Sequence, residues 1–477
     1  MSDFEYTPAP ESRDIARLKP RYQIFVDGAF RDGSGDGTTS INPADELPLT
    51  EIAEAGASDV ADAVEAAHRA FDGPWAAMAG KERGKYLFRI ARGIQERARE
   101  LAVLESLDNG KPIRESRDVD IPGAAAHFFY YAGWADKLAY AGFGPAPQPV
   151  GVVGQVIPWN FPLLMAAWKI APALACGNTV VLKAAETTPL TALVLAEIVA
   201  EADLPPGVVN ILAGGPSVGQ AVVASADVDK IAFTGSTEVG KIIARALAGT
   251  GKRLSLELGG KAANIVFDDA PLDEAVEGIV DGIFFNQGQV CCAGSRLLVQ
   301  ESVADELIVA LKRRLSRLRI GDPLDKNTDI GAINSATQLA RIRELCASGE
   351  ADGATPWSPP GTLPERGFWF APTIFTGVSP AHRIAREEIF GPVLSVLTFR
   401  TPSEAIEKAN NTPYGLSAGV WTEKGSRILA VAGQLRAGVV WANTFNRFDP
   451  TAPFGGYKES GFGREGGRHG LEEYLDV

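Results

Sequence analysis

Over residues 151–269 short, continuously apolar, β-branched segments alternate with amphipathic ones, and no other pattern in the chain restricts its fold as tightly. Residues 178–183 (NTVVLK) precede a helical stretch at 189–202, residues 207–214 (GVVNILAG) precede 217–225, and residues 230–235 (KIAFTG) precede 236–248. Residues 253–260 (RLSLELGG) then lead to a strand at 262–267 (AANIVF). Strands apolar on both faces and separated by helices predict a parallel sheet covered on both sides. Ligands of such sheets bind at the carboxyl ends of the strands, so the loops after NTVVLK and KIAFTG are expected to line a site. A second α/β pattern follows from about 270 to 455, with a Gly- and Pro-rich surface loop expected at 353–364.

A length of 477 residues suggests about three domains or two large ones. Residues 22–35 read as a hairpin turning at Asp27-Gly28, behind a loose arm of about 20 residues. A helix is expected from Asp59 as N-cap, and one long helix over 81–107, ended by Asn109-Gly110 and Pro112. The chain has four Cys and four His, with no C-x-x-C and no H-x-x-x-H, which excludes a disulfide scaffold and a zinc module; no metal is expected. Few thiols suit the cytoplasm. A net charge of −13 argues against a nucleic-acid binder. The acidic N-terminus lacks the pattern of a signal peptide. The longest apolar stretch, 161–175, is broken by Lys169 and two prolines, so no membrane span is expected.

The candidate chemistry lies in a few short motifs. The dinucleotide fingerprint G-x-G-x-x-G occurs at no strand-to-helix turn; its one formal match, 461–466, sits in the C-terminal tail. Gly235 to Lys241 matches G-x-x-x-x-G-K, but Ile242 stands where a P-loop needs Ser or Thr. Gly235 can equally end a strand, with Ser236 or Thr237 capping a helix whose N-terminus suits a phosphate. Cys291 and Cys292 follow an apolar helical run; on a helix their side chains diverge, so at most one can face a ligand. A buried Cys is ordinarily inert, whereas a Gly-rich flank at a helix terminus depresses a thiol pKa. No His lies in a comparable turn, which makes a Cys–His hydrolase unattractive. Glu257 closes a buried strand, where it must be either salt-bridged to Lys261 or a general base of raised pKa. Asn160 is a turn residue or an oxyanion donor, and Lys183 with Glu186 forms a salt bridge or a solvated loop.

Together these segments resemble the NAD(P)-dependent aldehyde dehydrogenase superfamily, in order over nearly the whole chain. The resemblance rests on 157–162 (IPWNFP), 233–237 (FTGST), 257–261 (ELGGK), 289–296 around the cysteines, 387–392 (EEIFGP) and 453–458 (PFGGYK). It implies an α/β fold with a Rossmann-like coenzyme domain (1–126 and 150–257) and an α/β catalytic domain (258–459). The nucleophile falls on Cys291, whose thiolate attacks the aldehyde carbon. Asn160 and the Cys291 N–H hold the oxyanion, hydride passes to the nicotinamide, and Glu257 activates water against the thioester. Glu257 also argues against the CoA-acylating branch.

For the cofactor the resemblance implies NAD⁺, with NADP⁺ as the alternative. Lys183 and Glu186 contact the adenosine ribose, and Glu186 repels a 2′-phosphate. Ala184 stands where the family commonly has Pro, which loosens that argument. Ser236 lies near the pyrophosphate, and Gly215, Phe233 and Gly235 are further cofactor-binding residues. Ile157, Pro158, Trp159 and Leu258 complete the cofactor wall, and Glu388 holds the nicotinamide ribose with Phe390 beside it. Phe161, Met165, Trp168, Phe285 and Phe448 suggest a substrate tunnel or simply core aromatics.

Family members usually carry a long bridging hairpin and a closing C-terminal strand. Here only residues 138–148 separate Lys137 from Pro149, with Pro145 and Pro147 unfavourable to pairing, and the sequence stops at Val477. The oligomerisation element (127–149 and 460–477) is therefore expected to be reduced, as in tandem-domain members of the superfamily. A homodimer is the expected state. The alternative is a weakly active NAD-binding subunit that assembles with an aldehyde-dehydrogenase-like partner chain.

Overall fold

The computed structural model describes residues 7–477. Among them, the N-terminal half builds an eight-stranded sheet. Its strands are β1 (Ile24–Val26), β2 (Ala29–Arg31), β3 (Val152–Val156), β4 (Thr179–Lys183), β5 (Val209–Leu212), β6 (Lys230–Thr234) and β7 (Arg253–Glu257), with a short edge strand at Gly461–Phe462. The order is Gly461–Phe462, β7, β6, β3, β4, β5, β1, β2. Strands β3 to β7 are parallel, and the hairpin β1–β2 closes one edge antiparallel to β5. Residues of β3, β4, β5 and β6 are buried throughout, as their unbroken apolar runs require.

Helices α1 (Ala57–Phe71), α2 (Gly80–Glu96), α3 (Ala98–Asn109), α4 (Ile121–Ala132), α5 (Pro162–Cys176), α6 (Leu190–Glu201), α7 (Pro216–Ala224) and α8 (Thr237–Leu247) accompany this sheet. The chain leaves β3 toward β4 and β5 on one side, then returns to build β6 and β7 on the other. The crevice between the β3 and β6 loops is thus a topological switch point, the place where parallel sheets bind ligands.

A second sheet of seven strands contains β8 (Ala263–Val266), β9 (Arg296–Gln300), β10 (Thr355–Trp357), β11 (Thr373–Thr376), β12 (Val393–Phe399), β13 (Ser417–Trp421) and β14 (Val439–Ala442), in the order β10, β11, β12, β9, β8, β13, β14. All neighbours are parallel except β10 and β11. Helix α9 (Leu272–Phe284) joins β8 to the segment before β9. Among the described residues no helix is long and apolar enough to cross a membrane.

Several sequence expectations need correction. Helix α1 starts two residues before Asp59, with Gly56 as N-cap; Asp59 sits in the first turn and accepts from the Gly56 N–H at 2.9 Å. The single helix over 81–107 is two, because Arg97 takes ψ 14° and pairs with Glu100 at 2.8 Å and with Glu197 of α6 at 2.9 Å. The arm is docked as far as the structure describes it. Glu11 pairs with Arg99 and Lys326, and a 3₁₀ turn at Arg13–Ala16 buries Ala16; the first six residues lie outside the described ones. The tail is likewise tied in. Gly461–Phe462, inside the formal G-x-G-x-x-G match, extends the first sheet, and Leu475–Asp476 pairs with Gln148–Pro149.

Candidate active site

Four segments converge at the switch point because each leaves a strand or helix end aimed there. After β3 the chain turns through Pro158, Trp159 and Asn160 before Pro162 opens α5. After β6, Gly235 packs over the Phe233 ring, and Ser236 caps α8 by accepting from the Val239 N–H at 3.2 Å. After β7 come Leu258, Gly259 and Gly260. A Cβ on Gly259 would run into the Glu388 carboxylate, and one on Gly260 would meet the Cys291 carbonyl at 2.5 Å. These two glycines let the β7–β8 connection pass directly beneath the cysteine. After α9, Asn286 and Gln287 adopt left-handed backbone (φ 46° and 53°) and turn the chain so that Cys291 faces the crevice.

These segments enclose a cavity of about 900 Å³. Its wall includes Asn160, Glu257 and Cys291, together with Pro158, Trp159, Gly235, Ser236, Leu258, Glu388 and Phe390. The proposed tunnel aromatics line the same cavity. Phe161 and Phe285 stack at 6.1 Å, Trp168 meets Phe448 edge-on at 6.4 Å, and Met165 lies on the wall with them. Trp159 and Phe390 make an edge contact at 5.3 Å. Ile157, Lys183, Glu186, Gly215 and Phe233 do not reach this wall. Ile157 is tied to the Lys183 carbonyl at 3.2 Å, and Gly215 caps α7 with open space around it. Lys183, Glu186 and Gly215 continue along the carboxyl edge of β4 and β5, away from Cys291. Of the two loops expected to line the site, the β6 loop does so, whereas the β3 loop takes the place given to the β4 loop.

The electrostatics separate two open readings. Glu257 is not bridged to Lys261: both of its buried carboxylate oxygens, and the Lys261 ammonium, have no hydrogen-bond partner. Burial and the neighbouring Glu465 carboxylate push the Glu257 pKa well above the carboxylate range, opposed by Lys169, which pairs with Glu465. The expectation for the cysteines is corrected. Cys291 and Cys292 lie in a turn rather than on a helix, and both reach the cavity wall. A side-chain hydrogen bond in which the Cys291 thiol holds its proton toward Cys292, together with burial, raises the Cys291 pKa. Burial also pushes Glu388 up to about 7, although its carboxylate accepts from the Gly260 N–H at 3.0 Å. Lys183 and Glu186 form the salt bridge, at 2.9 Å; burial opposes it, but Lys183 holds the Glu186 carboxyl below its ordinary value.

Sequence reasoning missed Thr234, Gln338, Asn446, Phe454 and Glu465, which also line the cavity. Lys169 carried a signal, being a charge inside the apolar helix α5; Glu465, in a Gly-rich tail, carried none.

The profile of the aldehyde dehydrogenase family matches residues 30–477. The chain belongs to the aldehyde dehydrogenase family. Human retinal dehydrogenase 2 is 45% identical, the alignment covering 100% of this chain and 94% of the relative. An aldehyde dehydrogenase of Alternaria alternata is 46% identical over 466 residues, 95% of this chain and 94% of its own. Among solved structures, an NAD⁺ complex of aldehyde dehydrogenase from Bacillus cereus superposes with a TM-score of 0.94 at 42% identity, over 99% of this chain and 98% of that one. The motifs, the profile and the fold therefore agree on one aldehyde dehydrogenase architecture.

Proposed function

We propose that the protein oxidises an aldehyde to a carboxylic acid with NAD⁺ through a covalent intermediate on Cys291. The observation that carries this reading is one cavity shared by a thiol, a side-chain amide and a buried carboxylate without a hydrogen-bond partner. The Cys291 thiol loses its proton to solvent, and the thiolate sulfur bonds to the carbonyl carbon as the carbonyl π pair moves to oxygen. The Asn160 amide and the Cys291 N–H receive that oxyanion, a contribution of about 10²–10³ in rate per donor. NAD⁺ held at this crevice would supply the oxidant, a hydride acceptor for the aldehyde hydrogen, so that the Cys291 adduct becomes a thioester. Glu257 then takes a proton from water, whose oxygen displaces the sulfur and releases the acid.

The residues fit a dinucleotide. The carboxyl edge of β5 is open at Gly215, the Thr234 hydroxyl is buried without a partner among the described residues, and Glu388 presents its carboxylate on the cavity wall. Glu186 beside Lys183 supports NAD⁺ over NADP⁺ by accepting from a free ribose hydroxyl and repelling a phosphate. Purified protein with NAD⁺ and aliphatic, aromatic and betaine aldehydes is expected to yield NADH and acid in equal amounts. Activity should be lower with NADP⁺, and Glu186→Gln should raise kcat/KM for NADP⁺ by about tenfold, ~1.4 kcal/mol. No NADH with any aldehyde would overturn the reading.

The domain division and assembly belong to the same proposal. Along the chain up to the C-terminal tail, β7 is the last strand of the first sheet and β8 the first strand of the second, which supports a boundary at 257/258. The two-residue strands Gln148–Pro149 and Leu475–Asp476 pair only with each other, which supports a reduced bridging element and a homodimer. Light scattering at the mass of a tetramer or a monomer would contradict the homodimer. Four free thiols support the cytoplasm as its location.

A further inference from the structure

The segment Asp108-Asn109-Gly110-Lys111 closes α3, and its side chains reach well beyond the helix end. Asn109 Nδ2 donates to the Trp159 carbonyl at 2.7 Å, and Lys111 Nζ donates to the Asn160 carbonyl at 2.7 Å. The Lys111 side chain is fully buried. Its ammonium is 2.5 Å from Asp120 Oδ2, 3.8 Å from Glu105 Oε1 and 4.2 Å from the centroid of the Phe161 ring. A second group of contacts arrives from the cysteine side. Asn286 Nδ2 donates to the same Asn160 carbonyl at 2.9 Å, and the Asn286 N–H donates to Glu115 at 2.9 Å. The Asn160 side chain meanwhile donates one amide hydrogen to the Gln289 carbonyl at 2.8 Å.

A primary amide has two hydrogens, so Asn160 keeps one for the cavity, aimed only as well as its own backbone plane is held. An ion pair as deeply buried as Lys111–Asp120 is a poor source of net stability, because desolvation offsets the attraction. What the pair does supply is a fixed donor on a particular carbonyl. We infer that Lys111, aimed by Asp120 and Glu105, is a positioning residue that locks the Asn160 peptide so that the free amide hydrogen meets the developing oxyanion. The inference rests on the reading of Asn160 as an oxyanion donor.

A four-member cycle of the full-length enzyme tests it: wild type, Lys111→Met, Asn160→Ala and the double variant. Asn160→Ala is expected to lower kcat/KM by about 10²–10³-fold. Lys111→Met should lower kcat by about 30–100-fold, the effect of a small misplacement, while leaving the dissociation constant of NAD⁺ unchanged. The double variant should be no worse than Asn160→Ala alone within about threefold, since both remove one function. Losses that multiply, or a parallel loss of NAD⁺ affinity, would overturn the inference while leaving the Asn160 reading intact. Wild-type rates for Asn160→Ala would overturn that reading itself. If Lys111→Met fails to fold, Asp120→Asn carries the same cycle, because it keeps the lysine and loosens its aim. A loss of about tenfold, absent in the Asn160→Ala background, is then expected; wild-type rates or multiplied losses would overturn the inference.

Discussion

Cys291→Ser is expected to reduce NADH formation by about 10⁴-fold or more, as removal of a catalytic nucleophile typically does. A serine hydroxyl ionises far less readily than a thiol, and this cavity has no imidazole to compensate: none of its lining residues is a histidine. His127 packs against Trp168 of the wall, the two rings tilted with centroids 4.9 Å apart, and burial pulls its pKa down to about 4. The Cys291 thiol itself starts at a disadvantage, since Cys292 and burial raise its pKa. Without cofactor, its alkylation should therefore be slow at neutral pH and still be rising above the ordinary thiol range. Cys292→Ser is the control. That thiol is 3.9 Å from Asn446 Oδ1, and its backbone carbonyl accepts from Ser417 at 2.9 Å, so it is held as part of the wall. This variant should keep most of the activity and make Cys291 easier to alkylate. Full activity in Cys291→Ser would remove the covalent route.

What could be read from the sequence divides along a physical line. The parallel sheet was legible because strands such as β4 and β6 are buried on both faces, and that burial is written into unbroken apolar runs. That Asn160, Glu257 and Cys291 border one cavity was legible because each sits where a strand or helix ends in a Gly- or Pro-marked turn. Other features depend on partners distant in the chain and leave no local pattern. Asn109 reads as helix punctuation and Lys111 carries no local signal, but their side-chain contacts lie 50 and 49 residues away, on Trp159 and Asn160. Arg97 interrupts a helix that its own propensity would continue, because Glu197 holds its guanidinium. The arm docks because Glu11 finds Arg99 and Lys326, one of them more than 300 residues on. Glu465 reaches Glu257 because the tail folds back along β7. The thiol environment left no local pattern either: the Gly-rich flank is compatible with a helix terminus, and the chain instead makes a left-handed turn at Asn286 and Gln287.

Glu257→Gln is expected to separate the two halves of the reaction. The steady-state kcat should fall by about 10²–10⁴-fold, the range for loss of a general base. A rapid burst approaching one NADH per active site should remain, because the steps before the thioester do not need this carboxylate in the proposed route. Hydroxylamine, which attacks a thioester without a base, should restore part of the turnover. The pH dependence follows from the sign of the shift. Burial and Glu465 raise the Glu257 pKa, so the carboxyl is protonated and idle at low pH. Wild-type kcat should climb as pH rises through that elevated pKa, and Glu257→Gln should lose this limb while keeping its burst. If the burst disappears along with turnover, Glu257 acts on the Cys291 thiol instead, the natural competing role for a carboxylate whose pKa Cys291 helps to raise. Wild-type turnover in the variant would leave its buried carboxylate without a catalytic role. The burst therefore decides between water and thiol as the proton donor to Glu257, a choice that the shared cavity alone leaves open.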